Sequence, residues 1–274
     1  MTTALAVLEK PETETIAPEV ATTGSLAALV EFRAKKPSYS HAIIVGVGGN
    51  YFYARPYLEM RLRDITHLSF VDPDILEAKN LDRQWSGRTP GRPKVDLAMD
   101  EWPNKETQLY GEIGRLEKAH PKELMQGERG TGVLVICLPD NDRARLQASE
   151  LAEKILEENL ATHVGVVVAG TDIGFGQAYW GLCVKEYAGG NRPLVVSTWL
   201  HDWRTLHVET GDVEDTGDKT PVGCGQRHMD NYMTGIVIAQ AMDELLGTAP
   251  TIHEHYWGTL KGTTLKTWAK PVAE

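Results

Sequence analysis

Cysteine is scarce in this chain. There are three in 274 residues, Cys137, Cys183 and Cys224, far apart and with no Cys-x-x-Cys pair. A structural zinc site of four cysteines is excluded, and so few thiols suit a reducing compartment. Long apolar runs are missing too, and none approaches the roughly 20 residues of a membrane-spanning helix. The first thirty residues carry no basic start followed by an apolar block, so we expect no secretory leader and a cytoplasmic protein. Positive charge is in deficit. With 28 Lys and Arg against 38 Asp and Glu the net charge is −10, which argues against general binding to nucleic acid or anionic membrane. No segment repeats. What is present is ordinary for a soluble globular protein, 42% apolar and 24% charged, and long enough to bury a substantial core.

Residues 1–24 are rich in Thr, Glu, Pro and Ala without a period, and a tail is expected there; residues 25–274 read as a single domain. A short helix is expected over 25–36. Residues 42–45, Ala-Ile-Ile-Val, read as a buried strand that runs into Gly46, Gly48 and Gly49. A helix follows over 51–62, with Pro56 acceptable only near its first turn. Residues 68–71 make a second strand that ends on Asp72. Further helices are expected from Lys94 and from Asn141 or Asp142, the latter with Ala148, Leu151, Ala152 and Ile155 on one face. Residues 133–138 and 164–169 are strong buried strands, and 108–113 a weak one. Segments 177–184 and 194–199 read as strands of an antiparallel continuation. Residues 201–225 read as a long loop. A closing helix over 226–246 should bury Tyr232, Ile236, Ala239, Met242 and Leu246 and end at Gly247. Residues 256–268 suggest a hairpin around Lys261 and Gly262. The alternation of strand and helix implies an α/β fold, a Rossmann-like, mostly parallel sheet with helices on both faces, continued by antiparallel strands.

Ligands of such sheets bind beyond the carboxyl ends of the strands, where Gly46 to Gly49, Asp72 and Asp140 all fall. The glycine turn lets backbone approach a nucleotide and aims amides at a phosphate, although a tight turn with no ligand is the alternative. The dinucleotide fingerprint would need a third glycine where Tyr51 stands. A carboxylate at Asp72 suits ribose hydroxyls. The chain then runs VDPDILEAKNLDRQWSGRTPGRPK over residues 71–94. Between Arg83 and Lys94 the charges are Arg83, Arg88, Arg92 and Lys94, with no acid among them. Such an island suits a triphosphate, or is a solvated basic loop. Attack on an α-phosphate builds charge on its oxygens and on the departing pyrophosphate, and fixed cations stabilise that charge. Magnesium takes phosphate and carboxylate oxygens and keeps several waters, so Asp140 can suffice as its protein ligand.

These segments resemble the signature of the ThiF/MoeB/HesA superfamily, adenylating relatives of ubiquitin-activating enzymes. The matching residues are Gly46, Gly48 and Gly49, then Asp72 and Asp74, then Asn80, Arg83 and Gln84, then Gly91 and Lys94, then Asp140 and Asn141, over residues 40–247. The resemblance implies a domain that binds ATP and Mg2+ and adenylates a carboxylate. The acceptor would be the C-terminal glycine of a ubiquitin-like or sulfur-carrier protein, or a peptide, and the protein a homodimer. Asp72 and Asp74 would serve the nucleotide, with ribose on Asp72. Asn80, Arg83, Gln84 and Lys94 would contact phosphates, and Asp140 would hold magnesium. Cys224, in Gly-Cys-Gly before the last helix, stands where several members carry an acyl-accepting thiol, and a thiolate near that helix start is a competent nucleophile. It is otherwise a spare thiol. Cys137 and Cys183 belong to apolar runs and read as core. His228 is a candidate base for Cys224. His253, Glu254 and His255 read as surface.

This chain departs from the resemblance at Tyr51, in the missing zinc cysteines, and in having no arginine before Arg33. Two rivals stand beside adenylation. One is an NAD-binding oxidoreductase using the same crevice, against which the missing third glycine and the basic island weigh. The other is a non-catalytic partner-binding protein that keeps the fold.

Overall fold

A computed structural model describes residues 37–81, 84–139, 142–172, 175–186, 194–197, 228–247, 253–258 and 264–268. Five strands run parallel in the order β3-β2-β1-β4-β5: β1 (His41–Val45), β2 (His67–Val71), β3 (Gln108–Glu112), β4 (Val133–Cys137) and β5 (His163–Asp172). β1 is central. It pairs in register with β2 through Ile44↔Phe70 and with β4 through Ile44↔Ile136. An antiparallel half follows: β6 (Phe175–Glu186) against β5, then β7 (Leu194–Ser197) and β8 (His253–Gly258) against β6, and β9 (Thr264–Trp268) against β8. This is the Rossmann-like sheet with an antiparallel continuation that the strand pattern implies. β8 and β9 form the pair expected of a hairpin.

The β-branched runs of β1, β4 and β5 are continuous because both faces of the sheet are covered. Side chains alternate between two cores. Ala42, Ile44, Leu68, Phe70, Leu134 and Ile136 join α1 (Gly49–Arg61), α2 (Lys94–Asp100) and α5 (His228–Leu245). Ile43, Val45, Val71, Val133, Val135 and Cys137 join α3 (Pro121–Leu124) and α4 (Asp142–Glu157). In α4, Ala148, Leu151, Ala152 and Ile155 are buried as their spacing predicts. The expected tail over 1–24, helix over 25–36 and loop over 201–225 lie outside the described residues.

Two expectations are corrected. Pro56 stands in the middle of α1, not near its first turn. It is exposed, so the lost N–H costs a solvent-side hydrogen bond, and Tyr51, Ala54 and Leu58 carry the packing on the other side. In α5, Tyr232 and Ile236 are 51% and 47% exposed, whereas Thr234, Gly235, Val237, Ile238, Ala241, Met242 and Leu245 are buried. That helix is apolar on most of its circumference, so several stripes fit the helical period and periodicity cannot choose among them. The choice falls to Gly235. A Cβ there would come within 3.2–3.3 Å of the α1 backbone at Tyr53 and Ala54, tighter than most real Cβ contacts, so glycine favours this close approach of the two helices.

Candidate active site

β1 ends where Gly46 turns the chain at φ +83, and a Cβ at Gly46 would lie 2.8 Å from the Pro139 ring. The turn after β1 is thereby pressed against the segment after β4, at the switch point of the strand order. Gly48 caps α1 without a side-chain hydrogen bond, and no acidic residue occupies the first turn. Among the described residues no side chain caps the amides opening this helix, and the helix dipole favours an anion there.

Asp72, buried at the end of β2, holds the turn in place. Its Oδ2 accepts from the Val47 N–H at 2.5 Å and its Oδ1 from the Asp74 N–H at 2.8 Å. Burial pushes its carboxyl up from the usual range, against the nearby Lys94 ammonium and the two backbone donors. The chain then doubles back on itself. Ile75 bridges Pro93, the Leu76 N–H donates to Arg92 O, and the Lys94 N–H donates to Asp74 O. This narrow loop returns Lys94 to the corner beside Asp72. The Lys94 side chain is buried, with Nζ 2.8 Å from Oδ2 of the more exposed Asp74.

Asn80 and Gln84 sit on the same excursion. Asn80 Oδ1 accepts from the Glu77 N–H at 2.9 Å, closing a capping box around a single 3-10 turn. The Gln84 N–H donates to Asn80 O. Gln84 is buried, and its Oε1 has no hydrogen-bond partner and lies 3.6 Å from where a Cβ on Gly48 would stand. Trp85, at a left-handed φ of 57, is buried and donates from Nε1 to Val47 O at 3.2 Å. Tyr51, which stands where the dinucleotide fingerprint has glycine, does not enter the crevice. It is fully buried below the turn, with its ring against Phe70 and Trp85.

The sequence reading missed a second layer of polar groups. Asn50 Nδ2 donates to Leu138 O at 3.0 Å, and its Oδ1 accepts from Thr171 Oγ1 at 2.6 Å. Thr171 in turn lies 2.7 Å from Thr234 Oγ1. This buried chain ties α1 to the end of β4, to β5 and to α5. Asn231, from the first turn of α5, is 1% exposed, and its amide meets Gly49 so closely that a Cβ there would lie 2.6 Å from Nδ2. Arg145 reaches from α4 under Gly170 and donates from Nε to Pro139 O at 3.4 Å. These residues were hard to find because Asn, Thr and Arg in helices and strands usually report only solvent exposure.

Arg83, Asp140, Asn141 and Cys224 lie outside the described residues. The basic island is corrected in part: Arg88 pairs with Glu101, and Arg92 with Asp100 at 2.8 Å, both carboxylates belonging to α2 and its end. These acids lie just beyond the loop, on the helix that follows it, which is why the loop alone read as positive. His228 is exposed and hydrogen-bonds through Nδ1 with the Tyr53 hydroxyl. Cys137 and Cys183 are buried as expected of core, and burial pushes the Cys137 thiol up to about 12. No cluster of three metal-ligating side chains occurs among the described residues.

The donor set suits a phosphorylated ligand. An uncapped helix start and a buried ammonium converge beside a carboxylate at the carboxyl ends of β1 and β2. No protein-family model matches the sequence, and no curated protein does. Solved structures do resemble it. One is MccB of E. coli, 14% identical, over 90% of this chain and 65% of that one with a TM-score of 0.53. MccB crystallised with ATP is 15% identical at a TM-score of 0.53, over 89% of this chain and 67% of that one. PaaA is 16% identical at a TM-score of 0.52, over 94% of this chain and 77% of that one. The chain thus spans about two thirds of MccB. At these identities the likeness is one of fold, and the chain has the Rossmann-like α/β architecture of MccB and PaaA.

Proposed function

We propose that this protein is an ATP-dependent adenylyltransferase of the ThiF type that activates the carboxylate of a peptide or small protein. The observation that carries this reading is the corner made by Asp72, Lys94 and the glycine turn: a buried ammonium beside a buried carboxylate that grips the turn opening α1. Three matches support it: the order of Asp72, Asp74, Asn80, Arg83, Gln84 and Lys94 in the sequence, the fold shared with MccB, and the existence of MccB structures with ATP and with AMPCPP. MccB was also crystallised with AMPCPP and selenomethionine MccA together, which favours a polypeptide acceptor here over a small acid.

Asp72 would receive the ribose hydroxyls while keeping Val47 and Asp74 in place. The amides at Gly48 and Gly49, with Gln84, would orient the phosphates. Lys94, drawn off Asp74, and Arg83 would stabilise charge on the α-phosphate oxygens and on pyrophosphate as it leaves. Asp140 would hold magnesium, which supplies further charge neutralisation. The acceptor carboxylate oxygen attacks the α-phosphorus, the bond to the bridging oxygen breaks, and pyrophosphate departs with that electron pair. Cys224 would take the acyl group in a later step, releasing AMP.

ATP–pyrophosphate exchange with magnesium tests the reading, with candidate small proteins and peptides added in turn. Acceptor-dependent exchange that is lost in Asp140→Ala supports adenylation. ATP-Mg that fails to bind by calorimetry, or NAD bound in preference to it, sinks it.

A further inference from the structure

The start of α1 is flanked by two carboxamides that carry buried atoms without a hydrogen-bond partner. On one side, at Gly48, is the buried Oε1 of Gln84. On the other, at Gly49, is Asn231 of α5, which is 1% exposed and has no hydrogen-bond partner at Nδ2 or at Oδ1. Buried polar atoms without partners are uncommon in native proteins, and a bound ligand or water is one reason for them. The adjacent polar groups do not serve: Asn50 is committed to Leu138 and Thr171, and Thr171 to Thr234. Gly49 lacks the Cβ that would otherwise push the Asn231 amide away. The helix it opens is 13 residues long and has no side-chain cap.

The two atoms of Asn231 ask for opposite partners. Nδ2 needs an acceptor and Oδ1 needs a donor. A bare anion satisfies only the first. A magnesium–triphosphate satisfies both, because its phosphate oxygens accept and the waters that magnesium keeps donate. Resting on the adenylyltransferase reading, we propose that Asn231 is a substrate-binding residue for the metal–nucleotide. Its Nδ2 donates to a polyphosphate oxygen at the start of α1, and its Oδ1 accepts from a water on magnesium. The last helix thereby takes part in nucleotide binding although none of the motif residues belongs to it.

Calorimetry on the full chain tests this, with ATP in magnesium and ATP in EDTA, on the wild type, Asn231→Leu and Asn231→Asp. Leucine matches asparagine in the number and branching of its side-chain heavy atoms, although it is larger, and leaves no polar atom unpaired, so the unliganded Asn231→Leu protein should keep its fold. It should bind ATP-Mg about tenfold more weakly, and magnesium should improve its ATP affinity less than it improves the wild type's. If Asn231→Leu does not fold, Asn231→Asp decides. Its oxygen in place of Nδ2 faces the phosphates, so it should lose affinity more in EDTA than in magnesium. Wild-type affinity in either folded variant overturns the role of Asn231 and leaves the adenylyltransferase reading intact. A wild type that binds no ATP in either condition overturns both, and the wild-type titration alone reports that.

Discussion

The Asp72 carboxylate accepts the Val47 N–H at 2.5 Å, which ties the end of β2 to the turn that follows β1. Its other oxygen accepts from Asp74. Asp72→Asn keeps one acceptor and sets an NH2 against the remaining N–H, in a buried place. We expect about 1–3 kcal/mol of lost stability before any ligand is added. Thermal or denaturant unfolding measures it, and an unliganded variant as stable as the wild type contradicts this geometry.

Lys94 separates function from folding. Its ammonium meets Asp74, whose side chain is 61% exposed, so the pair contributes little to stability. Lys94→Met keeps the buried stem and removes the charge. Unfolding should move little, while the rate of adenylation should fall by about 10²-fold or more if the ammonium stabilises the transition state. Exchange at the wild-type rate in a folded Lys94→Met protein rules out the phosphate role.

Stability should fall in mild acid. His41 and His163, buried at the amino ends of β1 and β5, are each held neutral by burial, with pKa values lowered from 6.5 to about 4; charge repulsion from the adjacent His67 adds to the effect at His41. Between these values the unfolded chain binds protons that the folded chain refuses. Their contribution is therefore complete above about 6.5 and is lost as the pH falls toward 4. Melting curves across that range should show the decline, and His41→Phe should make it shallower. An equal slope in the variant removes His41 from the explanation.

Gly49 and Asn231 should couple. Gly49→Ala drives a methyl into the Asn231 amide, with 2.6 Å to Nδ2. The single variant should be destabilised by about 1–3 kcal/mol, and adding Asn231→Ala should recover much of that. A double-mutant cycle with no interaction energy means that the two residues do not share this space.

Thiol titration separates the cysteines. Cys137 and Cys183 are buried, and the Cys137 thiol is pushed up to about 12, so both should be inert to a thiol reagent in the native protein. Cys224 is the candidate nucleophile, and Cys224→Ser should abolish the native-state reaction. Continued labelling of that variant locates the reactive thiol elsewhere.

The buried strands of the parallel sheet were legible because burial on both faces demands uninterrupted apolar runs, and Ile43, Ile44, Val135 and Val166 supply them. The turn at Gly46 was legible too, since the chain goes left-handed there and has no room for a Cβ. Asp72 was placed correctly at the end of β2, because a strand that stops on a carboxylate delivers it to the carboxyl edge.

What the chain could not declare by itself are relations between segments distant in sequence. The basic island read as a triphosphate site or a solvated loop, and only the fold sets Glu101 and Asp100 beside Arg88 and Arg92. Tyr51 read as an obstacle in the turn until its ring was found under it, against Phe70 and Trp85. The buried face of α5, and with it Asn231, Thr234 and Gly235, follows from the close approach of α5 to α1. Local periodicity is silent on such matters, because a helix that is apolar on most sides satisfies its own hydrogen bonds at any rotation, and only the surface it packs against selects one.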